Sequence, residues 1–172
     1  MKIYTRKGDD GTTGLLHGGR VRKDSPIPDA LGAVDEAQAA IGAGRALADG
    51  RLHEILTVTA ADLWKVMTGI AENRERSREA NDLVERTAAL ELMIDEATGQ
   101  FDMPTEFVIP GASVLSAQLD FARSVVRRAE RSTVRAGSEG AVSAYLNRLS
   151  DLLWALARWV EQDTTLAKDV QR

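Results

Sequence analysis

Apolar and polar positions alternate along this chain with a helical period. Five stretches carry apolar residues at the i, i+3/i+4, i+7 spacing of a helix that buries one face. The first runs from about Asp29 to Ala48, with Leu31, Val34, Gln38 and Ile41 on one stripe. The second runs from about Arg51 to Asn73, on Leu52, Ile55, Thr59, Leu63, Val66 and Ile70. The third, about Asn81 to Thr98, uses Leu83, Leu90, Ile94 and Ala97, and the fourth, about Ser113 to Arg135, uses Leu115, Leu119, Ala122, Val126 and Ala129. The fifth runs from about Glu139 to Lys168, on Val142, Leu146, Leu149, Leu153, Leu156 and Val160. The four prolines, Pro26, Pro28, Pro104 and Pro110, all fall between stretches, as helix punctuation should. Five of the 14 glycines crowd into the first 20 residues. The pattern predicts an all-α fold: a five-helix up-and-down bundle over 26–172, in a ferritin-like arrangement, behind a glycine-rich arm at 1–25. Longer connections are expected at 72–79 and 99–111, and the whole chain reads as one domain.

Composition narrows the chemistry. With 44% hydrophobic residues there is enough for a core, and with 5% aromatics that core must be aliphatic. A net charge of −4 argues against a nucleic-acid binder. Cysteine is absent, which excludes disulfides, thiolate zinc sites and a cysteine nucleophile. Two histidines, His17 and His53, leave little room for a histidine-rich metal site or a Ser-His-Asp triad. The polar N-terminus offers no signal peptide, and no apolar run approaches the ~18–20 residues of a membrane span. The expectation is a soluble cytoplasmic protein.

The arm concentrates positive charge. Up to residue 24 it carries Lys2, Arg6, Lys7, Arg20, Arg22 and Lys23 against Asp9, Asp10 and Asp24, a net +3 that leaves about −7 for the rest. Thr5, Thr12 and Thr13 are interleaved with Gly8, Gly11 and Gly14. Converging backbone N–H groups, hydroxyls and cations suit a polyphosphate, and Asp9 or Asp10 suits a magnesium ion bridging phosphates. It is not a P-loop, because Arg20-Val21 stands where Lys-Ser/Thr is required. The plain alternative is a solvated basic arm.

On the fourth helix, Arg123, Arg127 and Glu130 form one polar stripe bordering the apolar seam, with Arg128 and Arg131 beside it. Such a row is either a partly buried site needing carboxylate or phosphate partners or a salt-bridged solvent face. Asp35 and Gln38 on the first helix, and Asn147, Ser150 and Asp151 on the fifth, also intrude on apolar seams. Together they suggest a wet interface or ligand cleft. The loop from Phe101 to Gly111 is apolar enough to cover a bundle end or an apolar ligand. Trp64, Trp154 and Trp159 read as core or interface anchors, and His53 as a surface residue.

These motifs resemble a known family. Ile3-Tyr4-Thr5-Arg6-Lys7-Gly8-Asp9-Asp10-Gly11-Thr12-Thr13-Gly14-Leu15 is similar to the opening of the PduO-type ATP:cob(I)alamin adenosyltransferases, and Gly19-Arg20-Val21-Arg22-Lys23-Asp24 to its continuation. Gly32-Ala33-Val34-Asp35-Glu36 resembles the family's first-helix motif. Phe107-Val-Ile-Pro-Gly111, Ala122-Arg123 and Arg127-Arg128-Ala129-Glu130-Arg131 resemble its most diagnostic block, and Tyr145-Leu-Asn147-Arg-Leu-Ser-Asp151-Leu-Leu its closing helix.

The resemblance implies a homotrimer that binds ATP between subunits. It would transfer the 5′-deoxyadenosyl group to cob(I)alamin, giving adenosylcobalamin and triphosphate. Tyr4, Thr5, Arg6, Lys7, Gly8, Asp9, Gly11, Thr12 and Thr13 would wrap the ATP, and Lys23 would add phosphate charge. Arg127, Glu130 and Asn147 would hold the nucleotide from the bundle. Asp35 and Arg123 resemble an inter-subunit salt bridge, and Phe107 the aromatic that packs on the lower corrin face and excludes the axial base. Magnesium would ride mainly on the ATP phosphates. A flavin reductase and an adenosylcobalamin-dependent client enzyme are the further partners expected. Cob(I)alamin is itself a strong nucleophile, so the scarcity of histidine and cysteine fits: the protein positions C5′ and stabilises the leaving triphosphate. The chain departs from the family pattern at Lys7, at Leu16-His17, at Ala37-Gln38 and at Gly111-Ala112. These departures leave a second reading open, a non-catalytic trimer of the same fold that binds nucleotide or delivers adenosylcobalamin.

Overall fold

The computed structural model describes residues 2–16, 18–72, 78–161 and 165–170. A short hairpin, β1 (Thr12–Gly14) and β2 (Arg20–Arg22), precedes α1 (Pro26–Leu47), α2 (Gly50–Glu72), α3 (Arg78–Thr98), α4 (Val114–Arg135) and α5 (Ala141–Trp159), and a single turn, α6 (Ala167–Val170), follows. The molecule is mostly helical, a bundle.

Local sequence sets the helix starts. α1 begins at Pro26, three residues before the expected start. Proline is at home there, because its φ is preset and its missing N–H would lack an intrahelical partner anyway. Ser25 precedes it in extended conformation, but its hydroxyl donates to the Arg22 carbonyl instead of capping the helix. α4 opens on a reciprocal capping box. The Ser113 hydroxyl accepts from the Ser116 N–H, and the Ser116 hydroxyl accepts from the Ser113 N–H, both at 3.0 Å.

The helices close into a ring in the order α1, α2, α3, α5, α4, with α2 and α5 also touching across it. Cross-helix pairs fix the directions. Gln38 Nε2 donates to the Ala60 carbonyl at 2.7 Å, and Arg51 Nε reaches Glu96 at 2.8 Å, so α1/α2 and α2/α3 run antiparallel. Arg135 meets Asp29 at 3.3 Å while Gln118 donates to the Ala40 carbonyl, so α4 runs against α1. Gln38, expected near a wet cleft, is thus a structural tie between two helices.

The core is aliphatic, as the composition demands. Small residues let helices approach. A Cβ on Gly69 would lie 3.0 Å from Val142, and one on Gly44 would lie 3.4 Å from Leu119. Each fully buried leucine or isoleucine adds about 1.5–3 kcal/mol. One polar pair is embedded in this core. Tyr145 Oη donates to Asp62 Oδ2 at 3.3 Å, and Arg86 Nε stands 3.4 Å from Asp62 Oδ1. Burial pushes the Asp62 carboxyl above its ordinary pKa despite Arg86, and burial with the neighbouring carboxylate pushes the Tyr145 phenol far up.

One expectation is corrected. The fifth helix stops at Trp159 and not near Lys168, because Thr165–Ala167 turns back to pair with the 107–109 loop. The arm, expected only as glycine-rich, carries the two-stranded hairpin in its second half, with Thr12 opposite Arg22 and Gly14 opposite Arg20. Of the tryptophans read as core or interface anchors, Trp154 and Trp159 pack against the core, and Trp64, 70% exposed, lies outside it. His17, most of the expected 72–79 connection and the last two residues lie outside the described residues. Among the described residues no helix is long and apolar enough to cross a membrane.

Candidate active site

The arm builds a compact polar loop. Gly11 closes its tip with φ +80°, and Gly18 and Gly19, at +93° and +83°, make the hairpin turn. Side chains rarely adopt these angles, so glycine is needed at each. Asp10 Oδ1 accepts from the Thr12 N–H at 2.9 Å and the Thr12 hydroxyl at 2.8 Å. These bonds, with Arg20 nearby, hold the Asp10 carboxyl below its usual range. Arg20 lies over the loop, donating from Nη2 to the Lys7 carbonyl and from Nε to Thr12 Oγ1. The Lys23 N–H bonds the Gly11 carbonyl at 2.9 Å, and its ammonium folds over Gly8, 3.1 Å from where a Cβ would stand.

Thr5 accepts from the Lys7 N–H at 3.4 Å. Tyr4 is exposed between the Lys2 ammonium and the Arg6 guanidinium, at 5.9 and 5.5 Å from its ring centre. Arg6 has φ +61°, the one non-glycine left-handed residue among those described. Asp9 and Lys7 are exposed and Thr13 is half-buried. Among the described residues, the hydrogen bonds and ion pairs of this arm stay within residues 5–25, apart from the Asp29 N–H on the Ser25 carbonyl where α1 begins.

The fourth-helix stripe lies on the side of α4 that borders α5. Arg127, Glu130, Arg131 and Val134 line a shallow pocket of about 240 Å³. Asp120 on α4 faces Arg158 on α5 at 2.6 Å. On α5, Asn147 is exposed, and its neighbour Arg148 pairs with Glu91 on α3 and with Asp151. The structure thus brings Arg127 and Glu130 together in one pocket on α4 and places Asn147 on the neighbouring helix α5. Within the protomer it does not join them to the arm by any hydrogen bond among the described residues. Asp35 is exposed on α1, and the carboxylate beside Arg123 in the same protomer is Asp120, at 3.4 Å. Ser150 turns inward and donates to the Asn147 carbonyl at 2.8 Å.

Phe107 projects into solvent, 87% exposed. Its loop is held from behind. The Ala167 N–H donates to the Phe107 carbonyl, and the Ile109 N–H to the Thr165 carbonyl, both at 2.9 Å. At the other end of the loop, Phe101 packs edge-on against Trp154, ring centres 6.0 Å apart. Beside it, Ile94, Met103, Trp154 and Ala155 floor a pocket of about 560 Å³ rimmed by Glu91, Asp95, Arg148 and Asp151.

The model of the family described as cobalamin adenosyltransferase matches residues 3–160. The chain belongs to the cobalamin adenosyltransferase family. It is 43% identical over 176 residues to a corrinoid adenosyltransferase of Mycobacterium tuberculosis (strain H37Rv), covering 94% of this chain and 90% of that one. It is 37% identical over 179 residues to the corrinoid adenosyltransferase PduO of Citrobacter freundii, which matches all of this chain. It spans about half of that relative's length, 53%. A solved structure of a phenylalanine-to-histidine variant of a PduO-type ATP:corrinoid adenosyltransferase from Lactobacillus reuteri, complexed with cobalamin and ATP, superposes with a TM-score of 0.88. Its identity is 29%, and 98% of this chain and 97% of that chain are covered.

The family match spans every candidate site residue from Tyr4 to Asn147 but ends before Thr165–Ala167, the segment that clamps the Phe107 loop. Sequence reading missed three contributors: Arg20 as the arm's closing residue, Asp120 behind Arg123, and buried Arg158. The i, i+3 spacing of Asp120 and Arg123 is a signal for the second. A lone arginine in the apolar run Ala155–Val160 is a signal for the third.

Proposed function

We propose that this protein is an ATP:cob(I)alamin adenosyltransferase. The Co(I) electron pair attacks C5′ of ATP, a Co–C bond forms, the C5′–O bond breaks, and triphosphate leaves with the bonding pair. The products are adenosylcobalamin and triphosphate. The observation that carries this is the pairing of two cationic elements on one chain, the glycine-bounded loop Thr5–Thr13 and the Arg127/Glu130 pocket, with membership of a family whose relatives bear this activity in their names.

In this reading Tyr4 to Thr13 wraps the nucleotide, with backbone N–H groups and hydroxyls on the phosphates and Lys7 and Lys23 supplying charge. Arg127 neutralises charge on the departing triphosphate, and Glu130 and Asn147 fix the nucleoside end. Fixed donors aimed at developing charge are the largest lever available to a protein that supplies no nucleophile. Phe107 presents an apolar face to the lower side of the corrin. Removing the axial ligand there raises the Co(II)/Co(I) potential, so that an external reductant such as a flavin enzyme can deliver the electron.

The active unit is a homotrimer, with Asp35 of one protomer facing Arg123 of the next. Support comes from the arm, whose side-chain hydrogen bonds among the described residues stay within the arm, and from large apolar side chains left in solvent on helix faces: Trp64 at 70%, Leu92 at 72% and Phe121 at 56% exposure. Among the described residues no group of three or more carboxylates and histidines suits a metal ion. Asp10 is committed to Thr12 and Arg20, so magnesium is carried by the ATP phosphates, with Asp9 as the nearest protein carboxylate in the arm. An adenosylcobalamin-dependent enzyme in the cytoplasm would take the product.

Reduced cobalamin mixed with ATP and the protein tests this directly. Formation of the adenosylcobalamin spectrum with stoichiometric triphosphate is expected. ATP binding with no change in the cobalamin spectrum would overturn it in favour of a carrier.

A further inference from the structure

Behind Arg123 runs a buried chain of alternating charges that the transfer reaction itself does not use. Asp120, one turn earlier on α4, is 5% exposed. Its Oδ1 stands 3.4 Å from Arg123 Nε, and its Oδ2 accepts a 2.6 Å hydrogen bond from Arg158 Nη2 on α5. Arg158, 2% exposed, uses the same nitrogen to reach Glu161 Oε1 at 2.8 Å. Its guanidinium lies 5.6 Å from the centre of the Trp154 ring, which floors the larger pocket.

Burying three charges, those of Asp120, Arg158 and Glu161, is costly unless each has partners, and sequences keep such clusters where they fix a geometry. The Nε atoms of both Arg123 and Arg158 are buried without a hydrogen-bond acceptor. Arg123 is therefore held by the field of Asp120 and not by a directional bond. Asp120 in turn is held by Arg158 from the neighbouring helix. The stem of Arg123 is anchored at Nε while the side chain keeps 30% exposure. That is the state of a group prepared for a partner outside the protomer.

We infer that Asp120 is a positioning residue, anchored by Arg158, that sets the guanidinium of Arg123 on the α4/α5 border. This rests on the reading of Arg123 as a site residue. An arginine released from Asp120 regains its rotamer freedom, which must be lost again in each productive complex.

The test is a kinetic double-mutant cycle on the full chain, with Asp120→Asn and Arg123→Lys, read as kcat/KM for cob(I)alamin and as the thermal midpoint. Asp120→Asn keeps the volume and an oxygen acceptor for Arg158 but removes the charge that faces Arg123. Each single variant is expected to lose about tenfold or more, and the double variant to be little worse than Arg123→Lys alone. The thermal midpoint of Asp120→Asn reads separately what its buried pair with Arg158 contributes to folding. Kinetic losses that multiply in the double variant would overturn the positioning role, as would wild-type kinetics in Asp120→Asn. Wild-type kinetics in Arg123→Lys would overturn the reading of Arg123 itself.

If Asp120→Asn does not fold, Asp120→Glu keeps the charge and shifts the carboxylate by one methylene. Several-fold lower kcat/KM with unchanged ATP affinity is then expected, and full activity would overturn the inference.

Discussion

Arg20 on β2 holds Thr12 on β1 by a double donation, with Nε at 2.9 Å and Nη2 at 2.6 Å from the Thr12 hydroxyl oxygen. The same Nη2 reaches back to the Lys7 carbonyl, so one side chain ties both ends of the Lys7–Thr12 loop. Ordering that loop costs backbone entropy of roughly 1–2 kcal/mol per residue, and Arg20 supplies part of the order before any ligand arrives. Arg20→Ala should therefore raise the ATP dissociation constant about tenfold in a calorimetric titration. The thermal midpoint should stay within about 2 °C, because the loop lies outside the core. An unchanged affinity would mean the arm is ordered by the nucleotide alone.

Arg127 differs in kind from Arg123. It is exposed, its side chain closes no buried pair among the described residues, and its carbonyl takes a bond from Arg131 Nη1 at 3.0 Å that survives truncation. Arg127→Ala should leave folding and assembly intact while kcat/KM falls by about 10²–10³, the usual loss on removing a donor aimed at transition-state charge. Size-exclusion chromatography beside the cobalamin assay separates the two effects. Loss of assembly with normal chemistry per assembled site would make the residue structural.

The helical pattern was legible because a 3.6-residue period persists through each stripe, and local caps such as Ser113/Ser116 agree with it. The end of α5 was not legible. Nothing between Val160 and Leu166 forbids a helix, and the chain leaves it because Leu166 pairs with Val108, a contact distant in sequence. The hairpin escaped for another reason, since strands of three residues are too short to display alternation. The candidate site residues were named from motifs in family order. The groups behind them were not, because Asp120 and Arg158 acquire meaning only when α4 and α5 are side by side.

Phe107 buries almost nothing in the protomer, so its apolar ring contributes little to folding. In the proposed function its contribution lies at the lower corrin face. Phe107→Ala should leave the thermal midpoint and the ATP affinity unchanged, yet slow turnover from cob(II)alamin plus reductant by about tenfold or more. With pre-reduced cob(I)alamin the deficit should shrink, because the reduction step is bypassed. Equal deficits from both starting states would place Phe107 in ligand binding instead of reduction.

Asp62 gives the fold a pH dependence whose sign follows from its surroundings. Burial raises its carboxyl pKa, against the opposing pull of Arg86 and Tyr145. A carboxyl whose pKa is higher in the folded state favours folding most when protonated. That contribution is complete below the ordinary aspartate range and is lost as pH rises through the raised value, at about 1.4 kcal/mol for each unit of difference. Asp62→Asn keeps an oxygen to accept from Tyr145 Oη but cannot ionise. Thermal melts at fixed protomer concentration from pH 4 to 8 should thus show the variant gaining on the wild type as pH rises, since only the wild type buries a charge there. Tyr145→Phe removes the phenolic donor and should cost about 1–2 kcal/mol where Asp62 is ionised, or about 2–6 °C in the midpoint. That cost should be smaller at the acid end, where a protonated carboxyl needs the donor less. A gap between Asp62→Asn and wild type that does not change with pH would show that the buried carboxyl titrates like any surface aspartate.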